Sequence, residues 1–359
     1  MEVPTYEGDP TMRRTIIATI ICAVAIATGG LAAPANAASP YAPVDRPGPK
    51  LSVPAATLKA ALQCSGDFAH STLQPVLLNP ATGVTVDENF SWNYERAFTA
   101  QKRPWCAVHM PAHTLGDIQV AGEYLVYAIR TMRAKSTRDI AVMGHSQGGM
   151  SMRWALRFWP DTRSKVDDII GMAPSNHGTT VLPTCIVRLT TCLPAVWQQQ
   201  DDAQFVKALN SRAETFKGIS YTQIYTRTDE VVQPNSTNAT ASSALRTGEG
   251  SITNVATQDV CPLDLYEHLL VGTIDATAYA LAMDALNHSG PAKVSRISRS
   301  VCLQLYQPGV NPLNVQTYLK VLSAAPGLIS VPLPYVSLVG VKSVPGEPKL
   351  RCYVYASGC

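Results

Sequence analysis

Charge is scarce in this chain: only 15% of its 359 residues are Asp, Glu, Lys or Arg, and the formal net charge is +3. No Lys/Arg run interleaved with aromatics occurs, so the electrostatic footprint of a nucleic-acid binder is missing and no nucleic-acid partner is expected. CxxC pairs and the Cys/His spacing of a structural zinc site are also absent, which removes zinc as an organiser of the fold. His109 and His113 in HMPAH have a spacing that suits a metal, but they flank a proline and lack a third ligand. They read as loop histidines, and neither metal nor cofactor is expected. Internal repeats and low-complexity tracts, the marks of solenoids and disordered linkers, are not found. The apolar stretch Ile16 to Ala27 falls short of the roughly 20 residues a membrane span needs.

That short stretch has a meaningful context. Arg13 and Arg14 precede it and Pro34-Ala35-Asn36-Ala37 follows, the order of a basic region, an apolar region and a small-x-small cleavage site. Residues 1–37 therefore read as a secretory signal, with a retained N-terminal anchor as the alternative. Glu2, Glu7 and Asp9 fit a signal's basic region poorly and point to Met12 as the start. Once the signal is cleaved no stable membrane span remains, and the expected location is extracellular. Cys22 lies inside the signal, which leaves eight cysteines: Cys64, Cys106, Cys185, Cys192, Cys261, Cys302, Cys352 and Cys359. An even number in an exported chain favours disulfides over free thiols, although spacing alone leaves the pairing open. Asn89, Asn235, Asn238 and Asn287 head NxS/T sequons, which matter only in a glycosylating host.

Residues 38–59, rich in proline and small residues, read as a leader along the surface, and 60–359 as one domain. Within it, short apolar runs alternate with helical patterns. Pro75 to Leu78, Trp105 to Met110, Asp139 to Met143, Asp168 to Met172 and Ile219 to Tyr225 have the look of buried parallel strands. Ile118 to Met132 and Ser151 to Trp159 carry apolar residues at helical spacing. The alternation predicts an α/β fold, a mostly parallel central sheet with helices on both faces, with ligands at the carboxyl ends of the strands. NSTNATASS at 235–243 reads as a surface loop.

One strand end carries chemistry. In GHSQGG, Ser146 lies between Gly144 and Gly148, after the run Asp139 to Met143 and before a helix. A GxSxG elbow turns a strand sharply into a helix, strains the serine backbone and needs glycines where any side chain would collide with the neighbouring chain. A serine hydroxyl is a weak nucleophile at neutral pH, so a histidine oriented by a carboxylate must follow, in the chain order serine, acid, histidine. His177 follows the very next strand and leaves no room for an acid between; His288 closes a helical stretch, where it reads as a cap. His268 in YEHLL is left as the base. Asp229 and Glu230, just beyond the run Ile219 to Tyr225, are the acids at a strand end, and spacing does not choose between them. Asp201, Asp202, Asp259 and Asp264 read as solvated surface charges.

Several longer segments, PATG at 80–83, SQGGM at 146–150, FWPDTRSKVDDIIGMAP at 158–174, VWQQ at 196–199 and TDEVVQP at 228–234, resemble the family of Candida antarctica lipase B, within the α/β-hydrolases. The resemblance runs over about residues 60–359. It implies a catalytic triad of Ser146, Asp229 and His268, with Asp229 preferred over Glu230, and an oxyanion hole from the backbone N–H groups of Gln147 and Thr82, aided by the Thr82 hydroxyl. It also implies disulfides Cys64–Cys106, Cys261–Cys302 and Cys352–Cys359, leaving Cys185 and Cys192 as an added bridge in a lid-like segment at about 179–197. Substrate-binding positions matched in this way are His145, Thr179, Gln199 and Val231.

The departures are specific. His145 stands where the family has a tryptophan that narrows the alcohol pocket, so a roomier pocket is expected. Ser175 replaces an aspartate after Ala-Pro, and Ala81 replaces a glycine in the oxyanion loop. The apolar tail Val321 to Val341 reads as core cover. The resulting expectation is a secreted, monomeric serine hydrolase acting on carboxylic esters such as acyl glycerols, its partner a lipid or other ester substrate, which a lipid–water interface can present. An acyltransferase or polyester depolymerase using the same triad, and a non-catalytic exported lipid-binding module, are the alternatives.

Overall fold

Seven short segments pair edge to edge in the computed structural model, which describes residues 39–181, 191–315 and 340–358. They are β1 (Leu62–Ser65), β2 (Val76–Asn79), β3 (Trp105–Val108), β4 (Ile140–His145), β5 (Val166–Met172), β6 (Ser220–Tyr225) and β7 (Ser251–Ala256), in the order β1-β3-β2-β4-β5-β6-β7. All neighbours are parallel except β1, which runs antiparallel to β3. The five runs read from sequence become β2 to β6, displaced by at most two residues at either end. The reading missed β1 and β7. Both are edge strands with one paired side, so neither needs a continuous apolar run, and half of SITNVA in β7 is polar.

The pleat sends successive side chains to opposite faces. Leu77, Val142, Ile169 and Tyr221 join a core with the helices Ile118–Lys135 and Gln147–Phe158. Leu78, Met143, Ile170 and Ile224, on the opposite face, join another with the helices Tyr94–Ala100 and Ala276–Asn287. These are the three layers that the alternation predicts. Ile118–Lys135 begins where the Asp117 side chain accepts from Gln119 N–H, and ends on Arg133 and Lys135, which suit the negative end of its dipole. The apolar stretch His268–Asn287 is long enough to cross a membrane, with mean hydropathy 1.4, yet 78% of its 18-residue apolar window is buried in the protein.

Residues 39–59 lie against this body. Arg157 donates to the Ala42 carbonyl, Trp159 Nε1 to the Pro49 carbonyl, and the Glu123 carboxylate accepts from the Ser52 and Val53 N–H groups. Cys64 stands opposite Cys106 across β1 and β3 and is bonded to it, as Cys261 is to Cys302. Cys185 and Cys359 lie outside the described residues, as do the signal, residues 182–190 of the lid-like segment and nearly all of the apolar tail. The 235–243 stretch corrects its reading as a simple surface loop. Asn235, Ala241, Ser242 and Ser243 are buried, because they pack behind β6 and its acidic loop. Asn89 is buried as well, so the sequons at 89 and 235 present no accessible acceptor.

The chain steps outward from β2 to β3 and then returns across β2 to β4. The crevice beyond the carboxyl ends of β2 and β4 is therefore the point where the strand order reverses, the place where open α/β sheets bind ligands.

Candidate active site

Ser146 stands at that crevice. β4 ends at His145, the helix Gln147–Phe158 starts one residue beyond the serine, and Ser146 itself adopts φ 55°, ψ −125°. The helix starts four residues earlier than the Ser151 read from sequence. A β-carbon on Gly144 would lie 2.4 Å from Gly148 backbone atoms, and one on Gly148 would lie 2.2 Å from the Asn79 carbonyl oxygen. Both glycines are thus steric requirements of the elbow. The strained serine is held by its N–H donating to the Met172 carbonyl at 2.8 Å.

Three loops bring the expected partners together. Ser146 Oγ is 2.9 Å from His268 Nε2, and His268 Nδ1 is 2.9 Å from Asp229 Oδ2. Asp229 is only 1% exposed; its Oδ1 accepts from the Val231 and Val232 N–H groups at 2.9 and 2.7 Å. The carboxylate that faces His268 Nδ1 is thus that of Asp229. Glu230 instead accepts from the His268 backbone N–H at 3.3 Å. Burial alone would push the His268 ring down, but the Asp229 charge and hydrogen bond, with Glu230 and Glu267 nearby, reverse this and raise its pKa. A raised pKa makes it a stronger base for the serine proton.

On the other side of Ser146, the β2 loop and the first turn of the helix converge. Neither the Thr82 nor the Gln147 backbone N–H finds an acceptor among the described residues. Thr82 Oγ1 donates to Gln147 Oε1 at 2.8 Å and accepts from Gln199 Nε2 at 3.0 Å; Ser175 Oγ donates to Gln199 Oε1 at 2.9 Å. Asn79 Nδ2 ties the β2 loop to the elbow through the Gly148 carbonyl, 2.7 Å away.

No family model matches the chain. Among curated proteins, lipase B of Pseudozyma antarctica is 36% identical over 223 residues, which is 61% of this chain. The chain spans 64% of that protein's length. Among solved structures, lipase B of Aspergillus fumigatus is 30% identical with a TM-score of 0.74, over 87% of this chain and 75% of that one. The chain belongs to the lipase B family of α/β-hydrolases.

Against that family's pattern the substrate-binding positions divide. Gln199 and Val231 are partly exposed at the site. Thr179 is buried and its hydroxyl donates to the Val231 carbonyl at 2.6 Å while accepting from the Gln233 N–H at 3.1 Å, so it ties the loop carrying Asp229 to the chain after β5. His145 is 1% exposed, with its Nε2 2.9 Å from the His268 carbonyl oxygen, so its ring lies against the segment that carries the base.

Three other histidines make ordinary structural contacts. His177 Nε2 is 2.6 Å from Glu214 Oε1, His288 closes the helix Ala276–Asn287 with Nδ1 3.0 Å from the Asp284 carbonyl, and His109 Nε2 faces Gln63 Oε1 at 2.8 Å. Two of the four surface acids differ from their reading. Asp264 is buried with Oδ1 accepting from Tyr266 N–H, and Asp259 both pairs with Arg227 and caps Ala256 N–H. Glu230 was read only as an alternative acid, Asn235 only as a loop sequon, and Glu267 not at all. Glu267 caps the one-turn helix His268–Val271, and Asn235 is buried 3.4 Å from Asp229 Oδ2. An acid immediately before the base was the available signal for Glu267; nothing local marks Asn235.

Proposed function

We propose that the protein is a secreted serine hydrolase that cleaves carboxylic esters, lipid esters among them, through an acyl-enzyme on Ser146. The observation that carries this reading is the continuous line from Ser146 Oγ through His268 to Asp229, with both contacts at 2.9 Å. Ser146 Oγ attacks the ester carbonyl carbon while its proton passes to His268 Nε2, and Asp229 accepts from Nδ1–H and stabilises the imidazolium. The tetrahedral oxyanion receives the unclaimed N–H groups of Thr82 and Gln147 at the positive end of the helix Gln147–Phe158. On collapse the bond from carbon to the leaving oxygen breaks, and the Nε2 proton goes to that oxygen. Water, deprotonated by His268, then attacks the acyl-enzyme; the proton returns to Ser146 Oγ as the acid leaves.

Ester chemistry of lipid class is supported by the lipase names of both relatives, and export by the disulfides and by the signal-like residues 1–37. The test uses a fluorophosphonate probe and p-nitrophenyl esters of graded acyl length. Stoichiometric labelling at Ser146 and hydrolysis are expected, with both lost in Ser146→Ala. Turnover that survives this substitution would remove the acyl-enzyme from consideration.

A further inference from the structure

His145 precedes the serine and has almost no contact with solvent, so its ring must find partners inside the protein. Nε2 lies 2.9 Å from the His268 backbone carbonyl oxygen and Nδ1 lies 3.4 Å from Asn89 Oδ1. Burial, reinforced by the neighbouring His268 ring, lowers the His145 pKa to about 3, so the working ring is neutral and carries one N–H. A carbonyl oxygen has no hydrogen to give, which assigns that proton to Nε2. Nδ1 then has nothing to donate to Asn89 Oδ1, which already accepts from the Ala81 N–H at 2.9 Å; that contact is packing.

The consequence falls on the base. His268 opens a helix of only four residues, a length with little stability of its own. Its N–H is taken by Glu230, its Nδ1 by Asp229 and its carbonyl by His145, so the residue is anchored at three points around Nε2. The seat is close-fitting: a β-carbon on Gly272 would lie 2.3 Å from ring carbons of His145. The two imidazoles are 5.3 Å apart, and a protonated neighbour would oppose the charge that His268 acquires in the reaction. A neutral donor avoids that opposition while still fixing the backbone.

We propose that His145 is a positioning residue for the reaction: its Nε2–H holds the His268 carbonyl and thereby aims the His268 ring at Ser146 Oγ. The proposal rests on the acyl-enzyme reading of the site. His145→Phe keeps an aromatic ring and removes the N–H. It should lower kcat about 30-fold with KM within about twofold, since small misplacements of a base act on the chemical step. Fluorophosphonate labelling of Ser146 should slow by the same factor. His145→Gln returns an N–H at similar reach and should bring kcat back to within about threefold of the parent. A phenylalanine variant with parental kcat, a loss confined to KM, or a glutamine variant as slow as the phenylalanine one would overturn the assignment.

If the phenylalanine variant melts early, the glutamine variant and nitrogen NMR of the unsubstituted enzyme decide. The spectrum should show His145 protonated on Nε2 alone across about pH 5 to 8. A doubly protonated ring or an Nδ1–H tautomer there ends the proposal. The two readings fail separately. Loss of labelling in the unsubstituted enzyme, or turnover in Ser146→Ala, removes the acyl-enzyme; an intact parent with an indifferent His145→Phe removes only the role of His145.

Discussion

On one side of Ser146, His268 and Asp229 are buried and bound by a carboxylate, backbone N–H groups and a second imidazole; on the other, Thr82 and Gln199 are half-exposed and hold one another through neutral side-chain hydrogen bonds. On the proposed reading the base side is therefore ready before substrate arrives, with each polar group of His268 already committed. The oxyanion side is adjustable. Its backbone N–H groups meet no acceptor among the described residues, and on the proposed reading the Thr82 hydroxyl must first leave Gln147 Oε1 to reach the oxyanion. Proton transfer demands a fixed donor–acceptor line, whereas an oxyanion forms only in the reaction and can draw its last donor into place.

Replacing the acid should therefore cost most. Asp229→Asn offers a single acceptor oxygen in place of two, and the Val231 and Val232 N–H groups claim it. The amide NH2 then faces His268 Nδ1 and forces the proton to Nε2, where the ring can no longer accept from serine. A fall in kcat of about 10⁴-fold is expected, with the melting temperature little changed. Retention of more than a tenth of the parental kcat would mean that Glu230 substitutes as the orienting carboxylate and that the two sides are less different than their geometry implies.

Thr82→Val tests the other side and should cost less. Deleting a preorganised oxyanion donor typically lowers kcat about 10²- to 10³-fold, but here the hydroxyl gives up its bond to Gln147 when it turns, which offsets part of its contribution. A loss of about 10-fold in kcat is expected, restored by Thr82→Ser. A loss as large as that in Asp229→Asn would show that the hydroxyl is committed to the oxyanion from the outset.

The same contrast governs what could be read from the chain. The elbow was legible because Gly144 and Gly148 are required by atoms a few residues away in sequence or on the adjoining strand, and the requirement leaves a local pattern. Strands β2 to β6 were legible because burial on both faces enforces apolar runs. Edge strands β1 and β7 escape that constraint. Choosing Asp229 over Glu230 needed either the family resemblance or coordinates, because adjacent residues differ only in which way the loop turns them. The contacts of His145 were hidden for a related reason: position beside the serine is visible in sequence, but the room for its ring depends on Gly272, 127 residues away. Asn235 and Asp264 look like solvent-facing loop residues until the fold covers them.

The smallest expected effect is also the most discriminating between the two sides. Because the carboxylates around it raise the His268 pKa above the ordinary 6.5, the acid limb of kcat/KM should lie above the position of a free imidazole, and activity should fall as pH drops through it. Glu230 contributes to that upward shift through its charge, while its hydrogen bond to the His268 N–H needs only an oxygen. Glu230→Gln keeps an oxygen and removes the charge, so the acid limb should move to lower pH with the plateau rate nearly unchanged. Thr82→Val carries no charge difference and lies outside the groups that shift the base, so it should lower the plateau and leave the limb where it is. If both substitutions moved the limb alike, the pH dependence would belong to a group other than His268, and the division between a charged, fixed base side and a neutral, adjustable oxyanion side would fail.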